Sequence, residues 1–219
     1  MKINTCLALV GLIVLSAPAA ANSTATCKAI DAAISANEEY VEAILEASPD
    51  ARVKARRDMT ALNRELGTAL TTANAKSSAT AIAAVDSATV AGKDRDAMLA
   101  AMQNYAVLVE NFKTRLPTTQ NVAMLDHAGF SLQALTANGS PVWAMVKTVQ
   151  TALAADVKAI DGQLEKGPLA DLLRDTVASI DAAIAQSDVK WLSASALILL
   201  DSVDLVEAVV KNKTSKACP

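Results

Sequence analysis

The chain has 219 residues, with 20 basic against 23 acidic side chains, one histidine, and aromatic residues at only 3 %. A net charge of −3 with lysines and arginines scattered along the chain argues against a nucleic-acid surface, which needs concentrated cations to release counterions from phosphates. Seven glycines and six prolines in a background rich in Ala, Leu and Val favour helix nearly everywhere and leave little for sheet.

The first residues carry a three-part export signal. Met1 and Lys2 give a positive start, an apolar stretch runs from Cys6 to Leu15, and Ser16-Ala17-Pro18-Ala19-Ala20-Ala21 closes it with a helix breaker and small residues. Residues 1–21 therefore read as a signal peptide cleaved after Ala21, and 22–219 as a single all-helical domain in a periplasm or outside the cell. The apolar core is close to 10 residues, against roughly 20 for a spanning helix, so the mature chain is expected to have no transmembrane segment. Neither Cys6 nor Cys27 follows the Leu-small-small pattern of lipid attachment. Cleavage leaves 19 basic against 23 acidic residues, a charge of −4 on 198 residues, enough chain for one substantial core.

From there apolar residues recur at three- and four-residue steps, the mark of amphipathic helices. The first helix is predicted over 27–47, lined by Ile30, Ile34, Val41 and Ile44. Ser48-Pro49-Asp50 puts a hydroxyl before a proline at the first helical position, where the missing N–H costs nothing, and starts a helix over 49–74 with Leu62, Leu66 and Leu70 in line. A break between Asn74 and Ser78 leads into 78–91, because one rod from Pro49 to Gly92 would be about 65 Å long. Gly92 before Asp94 opens 94–116, striped by Met98, Met102, Tyr105, Val109, Phe112 and Leu116. Pro117-Thr118 opens 118–137, and Asn138-Gly139 closes it. Ser140-Pro141 starts 141–166, with Val142, Val146, Val149, Leu153, Val157, Ile160 and Leu164 on one face. Gly167-Pro168 switches to 168–186 within two residues, and Ser187-Asp188 opens 188–211 along Leu192, Ala196, Leu199, Val203, Val206 and Val210. Short connections imply antiparallel neighbours. The expected fold is all-α, an antiparallel bundle of seven to eight helices.

Ala29–Ser35 reads almost like Ser179–Ala185, and recurring Ala-rich helical words explain the echo better than a duplication, since the flanks do not align.

Two cysteines remain after cleavage, Cys27 near the start and Cys218 one residue from the end. In an oxidising compartment they are expected to form a disulfide joining the ends of the first and last helices. Both ends then lie at one end of the bundle, which an even number of antiparallel crossings satisfies.

Catalytic chemistry finds little purchase. His127 is the sole histidine, and no His-X-X-X-His or Cys-X-X-Cys pair exists for zinc or covalent haem. Asp126 and His127, adjacent in sequence, project in different directions from a helix. A noncovalent haem between His127 and Met98, Met102 or Met145 is the sharper reading of that residue; a structural role is the plainer one. Glu38 with Glu39, Asp171 with Asp175, and Asp201 with Asp204 are close carboxylate pairs, none in the Glu-X-X-His pattern of a di-iron bundle, and Asp201 and Asp204, which interrupt an apolar run, read as its solvent face. Arg52-Lys54-Arg56-Arg57 reads the same way. Trp143 and Trp191 stand in first turns, where they cap the core or form a partner patch. No cofactor and no enzymatic activity are expected. The sequence points to an exported helical bundle that binds a protein partner or an apolar ligand, with a structural role in an envelope assembly or surface appendage as the alternative.

Overall fold

A computed structural model describes residues 24–164 and 167–215. The signal peptide over 1–21, its cleavage point after Ala21, and Cys218 lie outside the described residues. Among the described residues there are eight α-helices and no strand: α1 (Thr24–Leu45), α2 (Pro49–Leu66), α3 (Thr72–Val90), α4 (Asp94–Phe112), α5 (Gln120–Thr136), α6 (Trp143–Asp161), α7 (Pro168–Gln186) and α8 (Val189–Val209).

The helices form two groups of four. In the second, α5 packs on α6, α6 on α7, α7 on α8, and α8 returns to α5. In the first, α1 packs on α2 and α4, and α4 on α3, but α2 and α3 meet only at a few points. The groups join where α4 lies along α5, with α1 just touching α5. Contacts at two heights run in opposite senses along the paired helices: Tyr105 with Ala123 and Glu110 with Gln120 between α4 and α5, and Gln133 with Ser193 and Gly129 with Leu200 between α5 and α8.

The aliphatic stripes face inward. Every residue of the α8 stripe, from Leu192 to Val210, is buried, as are all six of the stripe Met98, Met102, Tyr105, Val109, Phe112 and Leu116 along α4 and the turn after it. The α6 stripe is buried from Leu153 onward, while Val142, ahead of the helix, is exposed. Small residues let helices close up. At Gly129 of α5 an added Cβ would lie 2.6 Å from a methyl carbon of Leu200, so α8 rests directly on the α5 backbone.

A polar ladder crosses the first group. Asn37 Nδ2 donates to Ala33 O (2.6 Å), Asn104 Nδ2 to Asn37 Oδ1 (3.0 Å), and the Ser78 hydroxyl to Asn104 Oδ1 (2.7 Å), with Asn63 Oδ1 2.9 Å away. Four helices are thereby fixed in register by amides and a hydroxyl that are buried at Asn37, Ser78 and Asn104 and half-buried at Asn63, since unpaired buried amides are costly and paired ones are specific.

Helix ends depart from the sequence reading in instructive places. The break expected at Asn74–Ser78 falls at 67–71: Thr71 Oγ1 accepts from Asn74 N (3.3 Å), and Asn111 Oδ1 accepts from Thr71 N and Asn74 Nδ2 (both 3.0 Å). Asn74 thus belongs to the first turn of α3, which α4 pins. Ser48 stands at the N-cap of α2 without a side-chain capping bond. Pro141 does not begin a helix; extended Val142 is the cap, its carbonyl accepting from Met145 N and Val146 N. α4 stops at Phe112 rather than 116 because Asn212 takes the carbonyls beyond it, Nδ2 donating to Lys113 O (2.8 Å) and its backbone N to Pro117 O (3.0 Å). α6 stops at Asp161, with Gly162 as C-cap, rather than at 166.

Candidate functional site

The α1–α8 face has a cleft because these two helices do not touch. Both lean on the α4–α5 seam, and between them opens a space of about 410 Å³. Tyr105, Ala123, Asp126 and Phe130 form its floor and the Leu116-Pro117-Thr118 turn closes one end. Its walls are polar for a periodic reason. On α1, Asp31, Ser35, Glu38 and Glu42 step by four, three and four, opposite to the buried Ile30, Ala33 and Val41. On α8, Asp201, Asp204 and Glu207 step by three beside Leu200.

Seven carboxyl groups therefore line one cleft with no lysine, arginine or histidine among its lining residues. Among the described residues none of the seven enters an ion pair, although acids elsewhere are paired. The basic run on α2 shows the contrast. Arg52 reaches Asp94 (2.7 Å) and its guanidinium lies over the Tyr40 ring; Lys54 reaches Asp58 (3.2 Å) and Glu39 (3.6 Å); Arg56 reaches Asp86 (3.8 Å) and Arg57 reaches Asp58 (3.3 Å). The basic cluster is neutralised by its neighbours, and the acidic one is not.

Uncompensated burial changes the chemistry of two of these acids. Burial, then the charges of Glu207 and Glu42, and finally that of Asp204, push Glu38 up to about 7, with the Tyr105 hydroxyl working the other way. Burial and the charges of Glu38, Glu207, Asp204 and Glu42 push Asp126 up to about 9. Burial also raises Asp31, Glu42 and Glu207 from their ordinary values. Tyr105, which donates to Ala123 O (2.9 Å), is raised well above the normal phenol by burial and then by these acids. At neutral pH the floor holds a protonated carboxyl at Asp126 while Glu38 is balanced between forms.

The sequence-level candidates separate cleanly. Glu38 enters the cleft, but Glu39 points away to Lys54, as adjacent helical positions must. Asp201 and Asp204 are on the wall; Asp171 bonds Arg174 on the outer surface of α7, and Asp175 is exposed. Asp126 is on the floor, and His127 turns aside to stack on Tyr105 with ring centroids 6.4 Å apart, its imidazole pushed down to about 4 by burial. Met98 and Met102 are core residues, and Met145 is exposed. Trp143 packs against the second group, and Trp191 lies partly exposed with Nε1 donating to Ser179 Oγ (2.8 Å). Asp31, Glu42 and Glu207 are site residues that sequence reasoning missed; the 31–35–38–42 polar stripe was the available signal.

Among the described residues no three His, Cys, Asp or Glu side chains converge closely enough to hold a metal ion. The carboxyls are instead spread along two facing helices, an arrangement that matches distributed positive charge on a larger group. No protein-family model matches the chain, and neither a curated protein nor a solved structure matches it significantly.

Proposed function

We propose that this is an exported, non-catalytic binding protein whose α1–α8 cleft receives the cationic side chains of a protein partner in the cell envelope or outside the cell. The observation that carries this reading is the convergence of seven carboxyls on a cleft of about 410 Å³ with no basic residue in its lining. Such a field attracts positive groups, and a lysine or arginine entering it would supply the counter-charge that the fold withholds. The polar lining favours this over an apolar ligand. Catalysis is not proposed. The cleft hydroxyls of Ser35 and Thr118 have no imidazole beside them, because the only histidine stacks on Tyr105 outside the lining.

Export rests on the signal-like 1–21 segment, and with it goes the proposed Cys27–Cys218 disulfide of a single 22–219 domain. Geometry supports the pairing. Cys27 is buried near the start of α1, where Ala29 and Ile30 pack with Phe112 at the end of α4, and Asn212 ties the tail to that same end through Lys113 O. Cys218 is six residues beyond Asn212, and six residues reach up to about 20 Å.

Titration calorimetry with a tetralysine peptide and its fully acetylated form tests the binding reading. The unmodified peptide is expected to bind at low ionic strength and to weaken as salt is added, with the acetylated form inert and the Asp204→Asn/Glu207→Gln variant impaired. Equal binding of both peptides would remove it. One observation favours a structural role as a second reading: α8 exposes Leu197, Ile198, Leu205 and Val209. Absence of peptide binding together with concentration-dependent self-association in the same samples would transfer the assignment to that reading.

A further inference from the structure

The same cleft has the construction of a moving part. α1 is anchored by α2 and α4 and α8 by α5 and α7; between them lie the α4–α5 seam, the slight contact of α1 with α5, and the 113–119 connection to which Asn212 ties the tail. Among the described residues α1 and α8 do not pack on each other. Charge on the two walls is of one sign: Asp31, Glu38 and Glu42 from α1 face Asp201, Asp204 and Glu207 from α8, with Asp126 from α5 and the Tyr105 phenol from α4 beneath them. His127 of α5 lies behind Tyr105, outside the lining. Lys211 lies in an adjoining hollow beside Asp204 and Glu207 and does not line the cleft.

We infer that the cleft is a proton-operated gate: α1 and α8 draw together when its carboxyls hold protons and move apart as those carboxyls ionise. A closed cleft buries the acids and brings like charges together, so each proton taken up relieves both desolvation and repulsion. An open cleft hydrates the carboxylates and separates them. The closed form therefore binds protons more tightly, and linkage requires that falling pH populate it. Glu207 and Asp204 across the cleft add to the upward push on Glu38, and all three add to that on Asp126, in keeping with like charges facing each other on the two walls. The gate operates without a ligand; it adds regulation to the proposed binding cleft but stands on the geometry of the two walls.

The test is a distance measurement on the folded full-length mature chain. Ketone-bearing residues placed at Ala32 on α1 and Ala208 on α8, both exposed and outside the cleft lining, accept spin labels without touching the cysteines. Double electron–electron resonance between them should lengthen from pH 5 to pH 9.5 by on the order of 2 Å, the scale of helix shifts at packed interfaces. The Glu38→Gln/Asp126→Asn variant should stay at the short distance throughout. If that variant does not fold, the exposed-wall change Asp204→Asn/Glu207→Gln should reduce the shift instead. A wild-type distance that is constant across this range, or a shift retained in full by the folded neutral variants, would overturn the gate. Since no peptide is present, failure here leaves the peptide titration to judge the binding reading separately.

Discussion

Asn104 shows how one residue specifies packing in this aliphatic molecule. It is fully buried on α4, donates to Asn37 on α1 and accepts from Ser78 on α3. Replacing it with alanine leaves Asn37 Oδ1 without its donor, while Ser78 can still donate to Asn63 Oδ1, and Asn104→Ala is expected to lower stability by about 1–3 kcal/mol in urea denaturation; a change under a few tenths would show that the ladder is hydrated. The titrating residues act at the same scale with opposite signs. Glu38 and Asp126 have folded values of about 7 and about 9, above their ordinary 4.5 and 3.8, so the folded state holds their protons longer than the unfolded chain. Their contribution is complete below the ordinary carboxylate range and is lost as pH rises through about 7 and then about 9. His127, depressed to about 4 from 6.5, contributes above 6.5 and loses that contribution as pH falls through about 4. Melting temperature is therefore expected to decline from pH 6 to pH 9.5, and Glu38→Gln/Asp126→Asn to flatten that decline. An unchanged slope in the folded variant would contradict the assignment.

Helix identity was legible because it depends on local periodicity, and helix ends were legible only where the cap is local too. Gly167-Pro168 starts a helix as read, with Pro168 at the first position of α7, although α6 has already ended at Asp161. Gly92 takes φ +65° after α3, where Lys93 N returns to Ala88 O (2.9 Å), a geometry that glycine adopts without strain. Asp188 caps α8 by accepting from Trp191 N (2.9 Å). Two of the misplaced boundaries involve partners far away in sequence. Asn111 sets the start of α3 from 40 residues away, and Asn212 engages the carbonyls after α4 from 99 residues away. The echo between Ala29–Ser35 and Ser179–Ala185 also resolves at this scale. It places Ile30 and Ala33 of α1, and Ile180 and Ala183 of α7, at buried positions of helices that occupy different places in their groups, so shared packing accounts for it without duplication.

At the scale of the whole molecule, each cleft wall can be read in sequence as a polar stripe, but their convergence cannot. It exists because α4 lies along α5 and brings the first group's α1 to the same face as the second group's α8. Eight antiparallel helices also return the chain to the end where it began, which is the geometry the Cys27–Cys218 proposal needs. Intact mass of the exported protein is expected to begin at Asn22 and to show one disulfide, with two alkylatable thiols only after reduction; a non-reduced protein with two free thiols would contradict it. Closing so long a loop is worth on the order of 5 kcal/mol in the chain-entropy treatment, so reduction should lower the melting temperature as well.

The most direct measurement is a map of where positive charge lands. Amide and carboxyl NMR shifts, followed as tetralysine is added at low salt, should move at Asp31, Glu38, Glu42, Asp126, Asp201, Asp204 and Glu207 and stay still at the paired acids Asp58, Asp94 and Asp171. Shifts spread evenly over all surface carboxylates, or none in the cleft, would contradict the cleft as the place where this protein receives its partner.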